Sequence, residues 1–342
     1  MAIKSIAQLC SMLQVTAQEF QQVLALPEYV CYNIPKKSGG MRAVEAPQGL
    51  LRELQGALAK YMQPFYTQHK LPCVHGFVKA FNNKPKYGVL TNASPHLNKP
   101  CVLNMDIKNF FDSISAKQVK QALQQKPFLV SDEVSTAIAL LCTHHKKLPT
   151  GAPTSPLLSN IVFYGVDKTL MELVDEINST KSENDVTVTY TRYADDLTFS
   201  GEVNLVVKIQ SRIVDILTTY GFELNTKKTR LQKTYAAQWV TGIKVNDKPN
   251  VSRLYIRNLR AIIHNLQNNT ATDAVKKHLV TKPNKEIDVS DVHGMLASVR
   301  SKISWVGMVR GKTDDVYMKL KSNFEVAERK ILVAPKGRRK LN

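Results

Sequence analysis

The stretch VTVTYTRYADDLTFSG, residues 186–201, sets two adjacent carboxylates, Asp195 and Asp196, between two runs that alternate β-branched or aromatic residues at period two. The spacing predicts a hairpin with both acids at its tight turn. Like charges repel there, and no basic partner is visible in the turn. Either the pair is a solvated turn, for which Asp is well suited, or something cationic lies nearby. A third acid, Asp106, closes the apolar run of CVLNMDIKNFFDSI (101–114), which reads as a buried strand. If that strand lies beside the hairpin in one sheet, Asp106, Asp195 and Asp196 converge at its edge. Three clustered anions repel one another strongly unless cations compensate. Hard oxygen donors without His or Cys favour Mg²⁺ over zinc. Two Mg²⁺ ions held this way suit in-line attack of a hydroxyl on a nucleotide phosphate, one lowering the pKa of the attacking hydroxyl and the other neutralising the leaving group. The basic hairpin YNIPKKSGGMRAVEAP (32–47) fits beside this chemistry, with Lys37 and Arg42 clamping the β- and γ-phosphates as point charge and bidentate fork. Together these residues describe nucleotidyl transfer.

Local pattern predicts the helices and strands that would carry these side chains. Residues 1–30 read as two short helices, the second opened by Thr16 with Glu19 three residues on, a capping-box spacing. The basic hairpin comes next. LLRELQGALAKYMQPF (50–65) has helical spacing of Leu51, Leu54, Leu58 and Tyr61, with Pro64 expected to stop it. SDEVSTAIALLCTHH (131–145) reads as a helix with acids in its first turn. The Gly/Pro loop LPTGAPTSP (148–156) leads into one long helix over about 158–177. After the carboxylate hairpin, LVVKIQSRIVDILTTYGFELNTKKT reads as a helix closed by Gly221, then a short strand. From about residue 250 the chain reads as mainly helical and basic, with no internal repeat.

With 342 residues the chain is long enough for two or three packed lobes, and 43% hydrophobic residues without a polar low-complexity tract argue for a sizeable core. No apolar run is long enough to span a bilayer and the N-terminus is interrupted by polar residues, so we expect neither export nor membrane insertion. The five cysteines are odd in number, widely spaced and free of CxxC pairs, as expected of reduced core residues in a cytoplasmic protein. The net charge of +19 is uneven: residues 226–342 hold 25 Lys or Arg against 9 Asp or Glu, a net +16, leaving +3 for residues 1–225. A one-signed lobe of this kind suits a phosphate backbone better than a merely solvated surface.

The series KKSGGMRAVEAP, MDIKNFF, TGAPTSPLLSN, YADD, GFELNTKKT and WVTG, in that order, resembles the finger-and-palm core of reverse transcriptases over roughly residues 30–245. NASPH (92–96) and VTG (240–242) resemble features of bacterial retron reverse transcriptases. The resemblance implies an α+β, right-hand polymerase fold: an N-terminal helical segment (1–30), fingers and palm (31–245) and a mainly helical, basic thumb (246–342). It implies that Asp106, Asp195 and Asp196 bind two Mg²⁺ ions, with the backbone carbonyl of Ile107 as an added ligand. Phe111 matches the steric gate that excludes a ribose 2′-hydroxyl; on a strand, alternation would send Phe110 to the opposite face, into the core. Gly151 matches the glycine whose bare backbone lets nucleotide and template approach, although Thr150 precedes it where many relatives carry glutamine. Lys228 matches the lysine that protonates pyrophosphate.

Asn92 and His96 are implied as structural or RNA-positioning residues, and Val240, Thr241 and Gly242 as closing a small sheet at the primer grip. Arg253, Arg257 and Arg260 recur at helical spacing as a phosphate-facing stripe in the thumb. The implied substrates are deoxynucleoside triphosphates. The implied partner is a cognate structured noncoding RNA, primed from a guanosine 2′-hydroxyl to give branched RNA–DNA, with a separate effector protein in anti-phage defence. The alternatives are a group II intron or diversity-generating reverse transcriptase, and a non-catalytic RNA-binding scaffold. Three intact, mutually repelling acids argue against the scaffold.

Overall fold

The computed structural model describes residues 3–36, 39–80, 86–278 and 288–333, and divides into two compact units, 1–241 and 242–342. Two helices open the first unit, α1 (Ile6–Leu13) and α2 (Ala17–Ala25). The capping box of α2 is as expected: the Thr16 amide donates to Glu19 Oε2 at 2.8 Å and the Glu19 amide to Thr16 Oγ1 at 3.1 Å. The basic hairpin is β1 (Tyr29–Pro35) against β2 (Met41–Pro47), with Tyr29 opposite Pro47 and Pro35 opposite Met41. Lys37 lies outside the described residues.

Helix α3 (Gly49–His69) corrects the expected stop, because it runs through Pro64. Proline there removes one backbone hydrogen bond at a cost of about 3 kcal/mol, but Leu58, Met62 and Tyr66 are buried along one face, and that packing holds the helix. Next come α4 (Val89–Ala93), β3 (Cys101–Asp106), α5 (Ala116–Gln124) and α6 (Asp132–Cys142). The single helix expected over 158–177 is two, α7 (Ser155–Val162) and α8 (Tyr164–Ser179), parted at Phe163, whose ψ of −4° ends α7 and whose ring is fully buried.

The carboxylate hairpin is β4 (Thr189–Tyr193) and β5 (Asp196–Gly201). Its first strand starts three residues later than the alternation suggests. The Val188 amide donates to the Asn178 side chain at 2.8 Å, which takes the place of a ladder partner. Helix α9 (Val203–Thr219) ends before Gly221, at φ 81°. The strand expected directly after it is absent: Leu224 makes an isolated bridge to Ile107, and Thr226–Lys228 form one 3₁₀ turn. Only then does the chain enter β6 (Arg230–Lys233) and β7 (Trp239–Val240).

The central sheet has the order β4-β5-β3-β6 and every pairing is antiparallel. β3 and β5 are buried nearly throughout, with Leu103, Met105, Leu197 and Phe199 in the same core as Ile209 and Ile213 of α9 and Leu170 of α8. Four cysteines are buried, but Cys31 is exposed on β1 and so is not a core residue.

The second unit holds β8 (Ile243–Lys244), α10 (Arg253–Asn268), α11 (Ala271–His278), α12 (Val289–Arg310) and α13 (Asp315–Val333). Its own core joins Ile256, Leu259 and Ile263 of α10 to Val299, Ile303 and Val306 of α12 and Leu320 and Phe324 of α13. Among the described residues no helix is long and apolar enough to cross a membrane.

Candidate active site

The register of the central sheet brings the three acids together. β3 and β5 pair so that Asp106 stands opposite Asp196, while Tyr193 opposite Asp196 closes the hairpin around Ala194 and Asp195. Ala194 sits at φ 57°, a left-handed conformation that a two-residue hairpin turn favours. The turn and the adjoining end of β3 are held by their neighbours. The Ile107 amide donates to the Asp195 carbonyl at 3.1 Å, and the Asn225 amide donates to the Asp106 carbonyl at 2.7 Å. A side chain at Gly76 would put its Cβ 2.4 Å from the Ala194 amide nitrogen, so only glycine allows that approach.

The charges at this corner are incompletely matched. Lys228 Nζ donates to both oxygens of Asp106, at 2.8 and 3.0 Å, an interaction that raises the lysine pKa although its side chain is 57% exposed. Asp195 is pushed above the usual carboxylate range by desolvation, then by Asp106, with Lys228 and Arg42 opposing. Asp196 is pushed up to about 6, again chiefly by desolvation and then by Asp195 and Asp106. One lysine on one acid leaves two acids paying for their proximity. That donor set, carboxylate oxygens with neither His nor Cys, fits a hard divalent cation, which Asp106, Asp195 and Asp196 would hold.

Behind the turn lies a network that the alternation pattern did not reveal. Arg192 of β4 is fully buried. Its Nε and Nη2 donate to Asp167 of α8 at 2.9 and 2.6 Å, and its Nη1 donates to Asn160 Oδ1 at 3.0 Å and to the Ala194 carbonyl at 3.1 Å. The Tyr190 hydroxyl donates to Asp167 at 2.8 Å, Asn160 Nδ2 donates to the Gly76 carbonyl at 3.0 Å, and the Phe163 ring lies 4.5 Å beneath the guanidinium. The carbonyl preceding Asp195 is thereby fixed from inside the core. The signal in the sequence was an arginine among inward-pointing positions of VTVTYTRY, which demands a buried acid that only the fold supplies.

The other expected residues divide by burial. Phe110 is 6% exposed and packs on Phe163 and Phe222, whereas Phe111 is half-buried and stacks on Phe77. Strand alternation is not the cause of this difference: the chain leaves β3 at Asp106 and turns over residues 108–113, so the two rings diverge on a turn. Gly151 is at φ 123°, and a Cβ there would meet Val44 Cγ1 at 2.8 Å and the Glu45 carbonyl at 3.0 Å. Its bareness is demanded by β2 itself, before any nucleotide is considered. The Thr150 carbonyl accepts from the Glu45 amide at 2.8 Å.

Asn92 and His96 are fully buried and offer RNA no surface. His96 Nδ1 and Nε2 lie 2.6 and 2.7 Å from the hydroxyls of Ser200 and Thr191, and burial pushes its pKa down to about 3, so it is a neutral cross-brace between β4 and β5. Val240 is also buried, while Thr241 and Gly242 follow it at φ 46° and 79°. Arg253, Arg257 and Arg260 are all exposed on α10, in a stripe that flanks its buried Ile256 and Leu259, without a salt bridge among the described residues.

Comparison with known proteins accords with this geometry. Residues 34–271 match the family described as reverse transcriptase (RNA-dependent DNA polymerase). The retron Mx65 reverse transcriptase of Myxococcus xanthus is 33% identical over 73% of this chain and 59% of its own length, and the retron Mx162 reverse transcriptase of the same organism is 30% identical over 72% and 54%. The chain thus spans less than two thirds of these curated relatives. A solved telomerase from Candida albicans, in complex with a fragment of telomeric RNA, covers 90% of this chain and 59% of its own at 11% identity and a TM-score of 0.49. With a family match running from residue 34 to residue 271, the chain belongs to the reverse transcriptase family, and within it is similar to the retron reverse transcriptases of bacteria.

Proposed function

We propose that this chain is an RNA-directed DNA polymerase of the retron type. The observation that carries this reading is the pairing of Asp106 with Asp196 across β3 and β5, with Asp195 in the adjoining turn and more negative charge than Lys228 can neutralise. In the reaction a primer hydroxyl attacks the α-phosphorus of a deoxynucleoside triphosphate, a phosphodiester bond forms, and pyrophosphate leaves. Two Mg²⁺ ions bound by Asp106, Asp195, Asp196 and the Ile107 carbonyl would supply hydroxyl activation and charge neutralisation at the leaving group.

The chain's own groups do the rest. Arg42, near enough to Asp195 to oppose its charge, and Lys37 of the same hairpin hold the triphosphate. Phe111, seated on Phe77, occupies the space of a 2′-hydroxyl. Lys228 carries the proton that pyrophosphate takes up on leaving. Residues 246–342 serve as a thumb whose Arg253, Arg257 and Arg260 meet template phosphates, and residues 1–30 buttress fingers and palm (31–245). The template is a cognate structured noncoding RNA, self-primed from a guanosine 2′-hydroxyl to give branched multicopy single-stranded DNA. The complex acts in the cytoplasm with a separate effector protein in anti-phage defence. Similarity to retron reverse transcriptases supports the RNA partner and the type of enzyme.

The test is deoxynucleotide incorporation on an RNA template by the double variant Asp195→Asn, Asp196→Asn. Synthesis should be abolished while RNA binding persists. Incorporation near the wild-type rate with Mg²⁺ present would overturn the proposal.

A further inference from the structure

A second cluster of metal-ligating groups lies away from the carboxylate corner. Glu45 of β2 and the adjacent His144 and His145, just beyond α6, each offer one ligand atom, and these atoms all lie within 4.8 Å of one another. His144 Nδ1 is 2.7 Å from Glu45 Oε2. The ring of His144 is held between two others, stacked on Tyr29 at 4.1 Å and against His145 at 3.9 Å between centroids. The Tyr29 hydroxyl in turn accepts from Gln55 Nε2 at 3.1 Å, so the stack is anchored in α3.

The backbone gives an independent reason to ask why these residues are here. His144 and Lys147 exchange amide-to-carbonyl hydrogen bonds at 2.9 Å, with His145 at φ 47° and Lys146 at φ 64° between them. A hairpin turn with two positive φ values favours Asn, Asp and Gly, not histidine followed by lysine. The turn therefore does not account for His145. A salt bridge between Glu45 and His144 does not account for it either.

We propose that Glu45, His144 and His145 form a binding site for a borderline divalent transition metal of the zinc class. Two imidazole nitrogens and one carboxylate oxygen make a donor set that suits Zn²⁺ and is unsuited to Mg²⁺, which demands oxygen ligands. Three protein ligands leave a fourth position for water. Lys146 and Lys147 are exposed beside the site, so imidazole ligation and not net negative charge provides the affinity. A bound ion ties β2 to the 144–147 turn. The same stretch of β2 already receives the loop at Thr150 and Gly151, so the ion rigidifies the joint between the basic hairpin and that loop. This inference does not rest on the polymerase reading, because its test measures binding.

The experiment is a Zn²⁺ titration of the full chain, stripped with chelator and held in excess Mg²⁺ so that the carboxylate corner is saturated, followed by calorimetry. A parallel Co²⁺ titration reports coordination through its visible absorption. One Zn²⁺ per chain is expected, with Co²⁺ giving the strong absorption of a four-coordinate site. His145→Asn, which suits the left-handed turn and so preserves the fold, should weaken Zn²⁺ binding by at least about tenfold, as should Glu45→Gln. The thermal midpoint of wild type should rise with Zn²⁺, and that of His145→Asn should not. The Asp195→Asn, Asp196→Asn variant should bind Zn²⁺ as wild type does. Absence of Zn²⁺ binding by wild type, wild-type affinity in both His145→Asn and Glu45→Gln, or loss confined to the Asp195, Asp196 variant would each overturn the proposal.

Discussion

The two sides of one hairpin treat carboxylates in opposite ways. Behind it, Asp167 is fully buried and fully matched, receiving the guanidinium of Arg192 and the hydroxyl of Tyr190. At its tip, Asp195 and Asp196 lie beside Asp106 with one lysine among them, and both acids hold their protons more tightly than usual. A polymer that can build the first site has the means to build the second the same way. On the function proposed above, the unmatched charge serves a cation, while the matched charge belongs to the scaffold that aims it.

The largest effect should come from breaking the matched side. Asp167→Asn leaves the Arg192 charge buried without its carboxylate and should cost about 3–5 kcal/mol. By contrast, Asp195→Asn with Asp196→Asn removes repulsion and should leave the metal-free protein as stable as wild type or more so. Denaturant unfolding of both variants checks this, and equal destabilisation would erase the distinction between the two sides.

The adjacent phenylalanines sharpen the comparison. Phe110, in the core, should cost about 3–5 kcal/mol on change to alanine. Phe111→Ala should cost less and should instead raise ribonucleotide use relative to deoxyribonucleotide use, measured as a ratio of incorporation efficiencies. An unmoved ratio would return Phe111 to packing alone.

A smaller effect is set by pH. Because the folded protein holds the Asp196 proton up to about pH 6, folding is favoured while that carboxyl is protonated. This contribution is present at low pH and is lost as pH rises from the usual carboxylate range through about 6. Asp196 is desolvated on the side facing Asp106 and Asp195 but keeps part of its surface in water, so screening keeps the effect modest. It is read as the difference in thermal midpoint between wild type and Asp196→Asn without divalent cation, since His96 contributes in the opposite sense as pH falls. Saturating Mg²⁺ should remove the wild-type deficit above pH 6.

The subtlest effect concerns the second unit. Changing Arg253, Arg257 and Arg260 to glutamine should flatten the log–log salt dependence of RNA binding by roughly two to three units if all three meet phosphates. Stability should be unchanged, because these side chains are exposed without salt bridges among the described residues. An unchanged slope would leave them as a solvated helix face.

Much of this was legible in the sequence because it is local. Alternation and turn composition gave the hairpin but put both acids in its turn, whereas Asp196 is already the first residue of β5, held there by its pairing with Tyr193 and Asp106; Thr16 and Glu19 gave a helix start; the spacing of Arg253, Arg257 and Arg260 gave the stripe on α10. The tertiary structure decided what depends on partners distant in the chain. Pro64 failed to end α3 because burial of Met62 and Tyr66 outweighs one lost hydrogen bond. Asn178 replaced the first ladder contacts of β4, and Phe163 split a helix that periodicity drew as one. The pairing of Asp106 with Asp196 spans 90 residues, and the seat of Arg192 on Asp167, the clamp of Lys228 on Asp106 and the meeting of Glu45 with His144 and His145 are likewise set by sheet register and helix packing. Sequence alone determined which side chains were available and the local shapes that carry them. Which charges are matched and which are left over is a sum over neighbours that only the folded chain brings within reach.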